Sequence, residues 1–278
     1  ERTVHIPTSL HPRAAMEVLA NVFFILPPRY HREVGKQAFA KRPVGTGPYR
    51  FVSWEVPSRI RFEANPDYFG PPKSKPRIPR LEIRVIPEMM IRIEMLLTGE
   101  VDVIRSGSIT PEQIQFLESH PDVLIRRATI LRNFFLTLDV RGRSGVDYFE
   151  NRLVRRAVNH AVNRVRYARD ILRGLARVNH GPTTPRHFGY EPDIRTYAYD
   201  PERARMLLKE AGLPNGFKVD LYAYRDESVA EAIAQDLLAV GIRADIQWMA
   251  GRWDRLFEKL RSGEAPMAFI TWGSYSIF

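Results

Sequence analysis

Along residues 1–140 the apolar positions fall in short alternating runs divided by turn residues, the period of half-buried strands. Residues 49–54 and 59–63 alternate in this way on either side of Pro57-Ser58 and predict a hairpin. Residues 81–86 predict another strand. Residues 88–97 then change to helical spacing, which ends at Gly99, a residue tolerant of positive φ. Shorter runs at 101–104 and 123–126 and a longer one at 133–140 read as strands too. Between them, Thr110-Pro-Glu-Gln113 has a capping threonine, proline at the first helical position and glutamine at the capping-box position. A helix is predicted from there to about residue 119. At the front, residues 2–7 read as a strand that needs a partner, and 12–20 as a helix.

From residue 152 the pattern changes. Apolar Leu153, Val154, Ala157, Val158, Ala161, Val162 and Val165 recur at helical spacing and predict one long helix over 152–175, its arginines on solvated faces. Asp200 caps a further helix that Gly212 ends. Strands at 218–224, 243–248 and 267–272 then alternate with helices at 228–240 and 253–261, which calls for a sheet of βαβ units. The two halves imply two lobes, parted by the polar, glycine-containing segment Arg141-Gly-Arg-Ser-Gly145.

Composition narrows the reading less than pattern does. A hydrophobic fraction of 44% and a charged fraction of 27% over 278 residues are those of a globular chain with a real core. No cysteine is present, so disulfides and thiolate metal sites are excluded. The net charge of +10 raises nucleic acid as a partner, but the basic residues are scattered and form no tail or block, so none is expected. No apolar run approaches the ~20 residues that span a bilayer. The seven histidines show no metal-binding spacing. Gly45-Thr-Gly47 lacks the Gly-Lys-Ser/Thr of a phosphate loop, and no nucleophile elbow or catalytic triad can be assembled.

Five motifs stand in order along the chain. They are Pro43-Val-Gly-Thr-Gly-Pro-Tyr49 with Asn65-Pro-Asp-Tyr-Phe69, and Gly99-Glu-Val-Asp102. Next come Val154-Arg-Arg-Ala-Val-Asn-His-Ala-Val-Asn-Arg164 and Tyr199-Asp-Pro-Glu-Arg-Ala-Arg-Met-Leu-Leu-Lys-Glu-Ala-Gly-Leu213, then residues 245–248 with Thr271-Trp-Gly273. Together they resemble the extracellular solute-binding proteins, family 5, that carry peptides, dipeptides or nickel complexes to ABC importers. The resemblance implies an α/β fold, periplasmic-binding-protein-like type II, with two lobes of mixed sheets, incomplete at both ends. Residues 1–46 would be the tail of the small insert domain of lobe I, 47–143 part of lobe I, and 144–278 most of lobe II. It also implies no enzymatic activity, no cofactor, a monomer, and a periplasmic location or a lipid anchor outside the cell membrane. Its partners would be a short peptide or small solute, including a metal chelate, and the membrane permease of an importer. A chain with these parts alone is expected to bind weakly. The alternative is a ligand-sensing module of a transcription regulator built on the same fold.

The same resemblance points to site residues. Trp272 and Tyr275 match aromatic cleft positions at a strand end; the competing reading of Trp272 is core filler. Where dipeptide-binding relatives hold the ligand's ammonium with an aspartate, Ser274, Tyr275 and Ser276 stand here. Either the acid lies beyond Phe278 or the ligand has no free ammonium. Arg225 falls near a carboxylate-clamping arginine, against the alternative of a surface pair with Asp226 or Glu227. Tyr222 and Tyr224 share one face of the preceding strand, one of them a cleft residue. Phe135 is a cleft aromatic or a core residue, with Arg132 as its companion.

Overall fold

The computed structural model describes Pro7, Ala15, Leu19 and residues 24–71, 74–105, 109–187, 189–194 and 196–273. Nearly all of the expected strand over 2–7 lies outside these residues; of the expected helix over 12–20 only Ala15 and Leu19 are described, both helical. The chain packs as two compact units, Val18–Ile109 and Thr110–Phe278, the latter with Glu1–Glu17.

In the unit of residues 18–109, helix α1 (Pro28–Lys41) is interrupted at Gly35, whose φ of +75° is open to glycine at little cost. Strands β1 (Tyr49–Glu55) and β2 (Arg59–Ala64) form the expected hairpin, paired from Tyr49↔Ala64 to Glu55↔Arg59 with a shift of register between Phe51 and Ser53. Opposed residues share a face, so Phe51 and Phe62 meet edge-to-face at 6.2 Å. Strand β3 (Arg80–Arg84) pairs antiparallel with β2, giving the order β1-β2-β3. Helix α2 (Met89–Leu97) follows, and the chain leaves it through Gly99 at φ +77°. Residues 101–104, expected as a strand, are in none: an alternating run becomes a strand only when a ladder partner lies beside it.

In the other unit, helix α3 (Pro111–Glu118) starts with the expected capping box: the Gln113 N–H donates to the Thr110 hydroxyl at 3.3 Å, and the Thr110 N–H donates to the Gln113 side chain at 2.9 Å. Residues 123–126 form no strand either. The sheet of this unit contains β4 (Arg132–Leu138), β5 (Phe217–Ala223), β6 (Ile242–Trp248) and β7 (Met267–Gly273) in the order β4-β7-β5-β6. β5 runs parallel to β6 and β7, and β4 runs antiparallel to β7, so the sheet is mixed. The compact units part between Ile109 and Thr110, and β4 ladders along its whole length with β7. The 141–145 segment is itself ordered: the Asp139 carboxylate accepts from the N–H of Ser144 at 2.7 Å and of Arg141 at 3.2 Å. Burial alone would raise the Asp139 carboxyl; these bonds outweigh it and hold the group below the usual carboxylate range.

Alternation along β5 assigns its two faces. Phe217, Val219, Leu221 and Ala223 are buried in the main core, under α4 (Arg152–Ala161), α5 (Pro201–Glu210) and α6 (Glu227–Leu238). On the other face a smaller cluster gathers Leu256 of α7 (Trp253–Ser262) with Ala268 and Ile270 of β7, Tyr222 and Tyr224 packed against it. Glycine is required where β5 begins. A Cβ on Gly216, at φ +72°, would lie 1.8 Å from the Gly241 carbonyl oxygen, and that oxygen accepts the Phe217 N–H at 3.2 Å.

The long helix expected over 152–175 breaks at Val162, which is extended (φ −91°, ψ 125°). Short turns at Arg164–Arg166 and a π-helical turn at Tyr167–Ile171 follow it. The break is stabilised from α6. Buried Asp236 accepts from the Asn163 N–H at 2.9 Å, from Arg166 at 2.8 Å and from the Tyr167 hydroxyl.

Candidate functional site

In α/β sheets a ligand crevice lies beyond the carboxyl ends of the parallel strands. Here that edge carries the ends of β5, β6 and β7 and, because β4 runs the other way, the start of β4. Most of the site residues expected from sequence collect there. Trp272 is 51% exposed at the end of β7. Its ring lies 6.3 Å from that of Trp253, which opens α7 and also meets Tyr224 at 5.3 Å and Phe257 at 5.6 Å. The Tyr224 hydroxyl is hydrogen-bonded to the Thr271 hydroxyl at 2.8 Å, which ties the residue after β5 to the end of β7.

Register decides which side of the sheet each residue serves. Asn133↔Trp272 and Phe135↔Ile270 face the α7 side; Arg132↔Gly273 and Phe134↔Thr271 face the other. Phe135 is 40% exposed, so it is neither core filler nor fully presented. Tyr222 is half-buried against the Leu256 cluster, away from the open edge. Arg225 donates to Asp226 at 2.6 Å, the surface pair weighed against its clamping role, and its guanidinium also lies 5.9 Å from the Phe134 ring centroid. Asp226 holds this position with a left-handed backbone at φ +56°. Ser274 and Tyr275 lie outside the described residues.

A loop borders the same edge. Asn133 donates to the Pro182 carbonyl at 2.6 Å, and Asn179 donates to the Asn133 side chain at 3.0 Å. At the start of α7, Arg252 grips Asp254 with two hydrogen bonds of 2.9 and 2.6 Å, which bring the Asp254 carboxyl down to about 2. Among the described residues no cluster of His, Asp or Glu could hold a metal ion, and no helix is long and apolar enough to cross a membrane.

Sequence reading missed Phe134, Thr271, Trp253 and Asn133 at this edge. Phe134 and Thr271 adjoin residues that were singled out, and only the register with β7 reveals which neighbour faces which way. Trp253 carried a signal of its own, an aromatic at the first turn of a helix between two strands.

Comparison with known proteins adds the following. The family model for bacterial extracellular solute-binding proteins, family 5 Middle, matches residues 1–277. Di/tripeptide-binding protein 2 of Pseudomonas aeruginosa is 29% identical over 238 residues, which are 83% of this chain and 43% of that protein. Heme-binding protein A of Haemophilus influenzae is 26% identical over 239 residues, 83% of this chain and 42% of that protein. The ABC transporter-associated periplasmic binding protein DppA from Helicobacter pylori, solved in complex with peptide STSA, superposes with a TM-score of 0.76 at 32% identity, over 92% of this chain and 50% of that one. The chain thus spans half or less of the length of these relatives.

Proposed function

We propose that this chain, which belongs to family 5 of the bacterial extracellular solute-binding proteins, holds a small carboxylate-bearing solute against the carboxyl edge of β5 and β7 and delivers it to the permease of an ABC importer. The family is one of binding proteins and not of enzymes, and its members are extracellular or periplasmic. A short peptide is the solute class favoured, with heme as the second, following the names and ligand of the relatives. Of this chain's own residues, Trp272, Tyr224, Arg225 and Phe135 would line the site and Tyr222 would support it; Ser274 and Tyr275, expected from the sequence, lie outside the described residues.

The observation that carries the reading is Trp272: half its surface is open, yet its ring is held from one side by Trp253. An exposed aromatic that is already immobilised offers apolar contact area with little entropy left to lose, the condition for a binding hot spot. Nearby hydroxyls and guanidinium groups supply the polar contacts that orient a solute in an otherwise apolar site. Thermal shift and isothermal titration on the complete natural polypeptide, against di- and tripeptides and hemin, test it. A probe that binds only the folded state must raise its stability. Trp272→Ala is expected to weaken the bound probe about 30-fold, a hot-spot effect of ~2 kcal/mol, with the unfolding temperature of the free protein little changed. Absence of stabilisation by every probe would overturn the proposal.

A further inference from the structure

We infer that Arg132, rather than Arg225, holds the solute's carboxylate, in a subsite on the Phe134–Thr271 side of the sheet edge. The inference rests on the capture reading above and names the group that would act in it.

Arg132 opens β4 directly opposite Gly273. Gly273 has no side chain to present, and Arg132 lies across it: a Cβ built there would come 3.6 Å from the Arg132 Cβ and 3.7 Å from its Nε. The guanidinium stem is thus laid over bare backbone at the last residue of β7. Two residues along β4, roughly 7 Å at the rise of a strand, Phe134 projects to the same side and receives the Arg225 guanidinium at 5.9 Å. Arg132 and the Phe134 ring that Arg225 approaches thus belong to one side of the sheet, where Thr271 stands opposite Phe134 and is hydrogen-bonded to the Tyr224 hydroxyl.

Their charges are not equally available. Arg225 is paired with Asp226 at 2.6 Å, and the side chains are only 28% and 25% exposed. A carboxylate arriving at Arg225 would have to displace or approach that acid and would meet its repulsion. The Arg132 side chain is exposed and its guanidinium makes no hydrogen bond or ion pair with any described group, so its fork of donors is open to a bidentate carboxylate. Arg225 then acts as a fixed positive support, clamped by Asp226 on Phe134. A peptide C-terminus and a heme propionate present the same group, so the chemistry is carboxylate recognition and the source is left to experiment.

Isothermal titration of the complete natural polypeptide and its Arg132→Gln variant, with Ala-Ala-Phe, Ala-Ala-Phe-amide and hemin as probes, tests this. Arg132→Gln is expected to weaken the free-acid peptide about tenfold, as loss of a charge-assisted hydrogen bond does, and the amide by less than about twofold. If hemin is the ligand and the peptides do not bind, the tenfold loss is expected with hemin instead. Arg225→Gln, by contrast, should weaken acid and amide alike. An Arg132→Gln variant that binds its probe as the parent does, or loses acid and amide equally, overturns the inference. If Trp272→Ala still weakens binding in that case, the capture reading survives without it. Failure of the parent protein to bind any probe removes both.

Discussion

Residues 18–109 and 110–278 use the same alternation of apolar and polar positions and end with very different interiors. In the first unit, among the described residues, a three-stranded meander and the helices α1 and α2 form, yet only Ile93 is buried. Leu81 and Ile83 of β3 are 37% and 45% exposed, and Trp54 of β1 is 48% exposed. In the second unit β5 and β7 are covered on both faces, by α4, α5 and α6 on one side and α7 on the other. Leu207, Leu221, Leu237, Ile242 and Met267 are fully buried there. Periodicity states which face of an element is apolar. It does not state what is laid on that face, and burial requires the second layer. The difference also explains where chemistry can be positioned: Trp272 and Arg132 stand at the rim of a sheet whose interior holds it still.

The largest test of this contrast is Leu221→Ala in the sheet centre, expected to cost about 3–4 kcal/mol in urea unfolding of the 278-residue chain, from lost transfer energy and the cavity left behind. Asp236→Ala should follow at about 2–3 kcal/mol, because it strands Arg166, the Tyr167 hydroxyl and the Asn163 N–H in one stroke. A fall below about 0.5 kcal/mol for either would mean that this unit is not the rigid one.

Tyr167 allows a pH test of the same network. Burial foremost, and then the Asp236 carboxylate, push its hydroxyl well above the usual tyrosine range. A folded-state value raised in this way favours folding fully below the unfolded value of ~10 and progressively less above it. Stability should therefore be level through pH 7–9 in this respect and decline beyond about pH 10. Tyr167→Phe is expected to cost about 1 kcal/mol at neutral pH and to flatten that alkaline decline. An unchanged decline in the variant would assign it to other groups.

Smaller effects complete the series. Thr110→Ala removes the capping box of α3 and should cost about 1 kcal/mol, read by the same urea titration. Leu81→Ala, in the thinly covered unit, is expected to change stability by less than about 0.5 kcal/mol. A loss there as large as that of Leu221→Ala would erase the contrast between the units.

Much of the second unit was legible because its determinants are local. The Thr110 and Asp200 caps, the strand–helix alternation after residue 217 and the stop at Gly212 all depend on neighbours within a few residues. What was not legible depended on distant partners. The unbroken helical spacing through Val162 gave no warning of a break, because the groups that stabilise it sit on Asp236, over 70 residues away. Residues 101–104 and 123–126 are short apolar runs that read as strands and find no ladder among the described residues. At the candidate site, Trp272, Arg225 and Phe135 were legible as residue types in a motif, whereas their separation onto opposite sides of the sheet, and the presence of Phe134, Thr271 and Trp253 beside them, were not.

By itself, then, the sequence determined most of the elements, their caps and the family, since hydrogen-bonding side chains, glycines and apolar period act over a turn or a strand. Only the tertiary structure decided that β4 joins β7 across more than 130 residues, which of two adjacent phenylalanines faces Arg225, and that Arg225 is engaged by Asp226 while Arg132 stands open over Gly273. The physical reason is parity. A strand turns successive side chains to opposite faces, so a shift of one residue in pairing would exchange every one of these neighbours, and that register is set by packing that no local pattern contains.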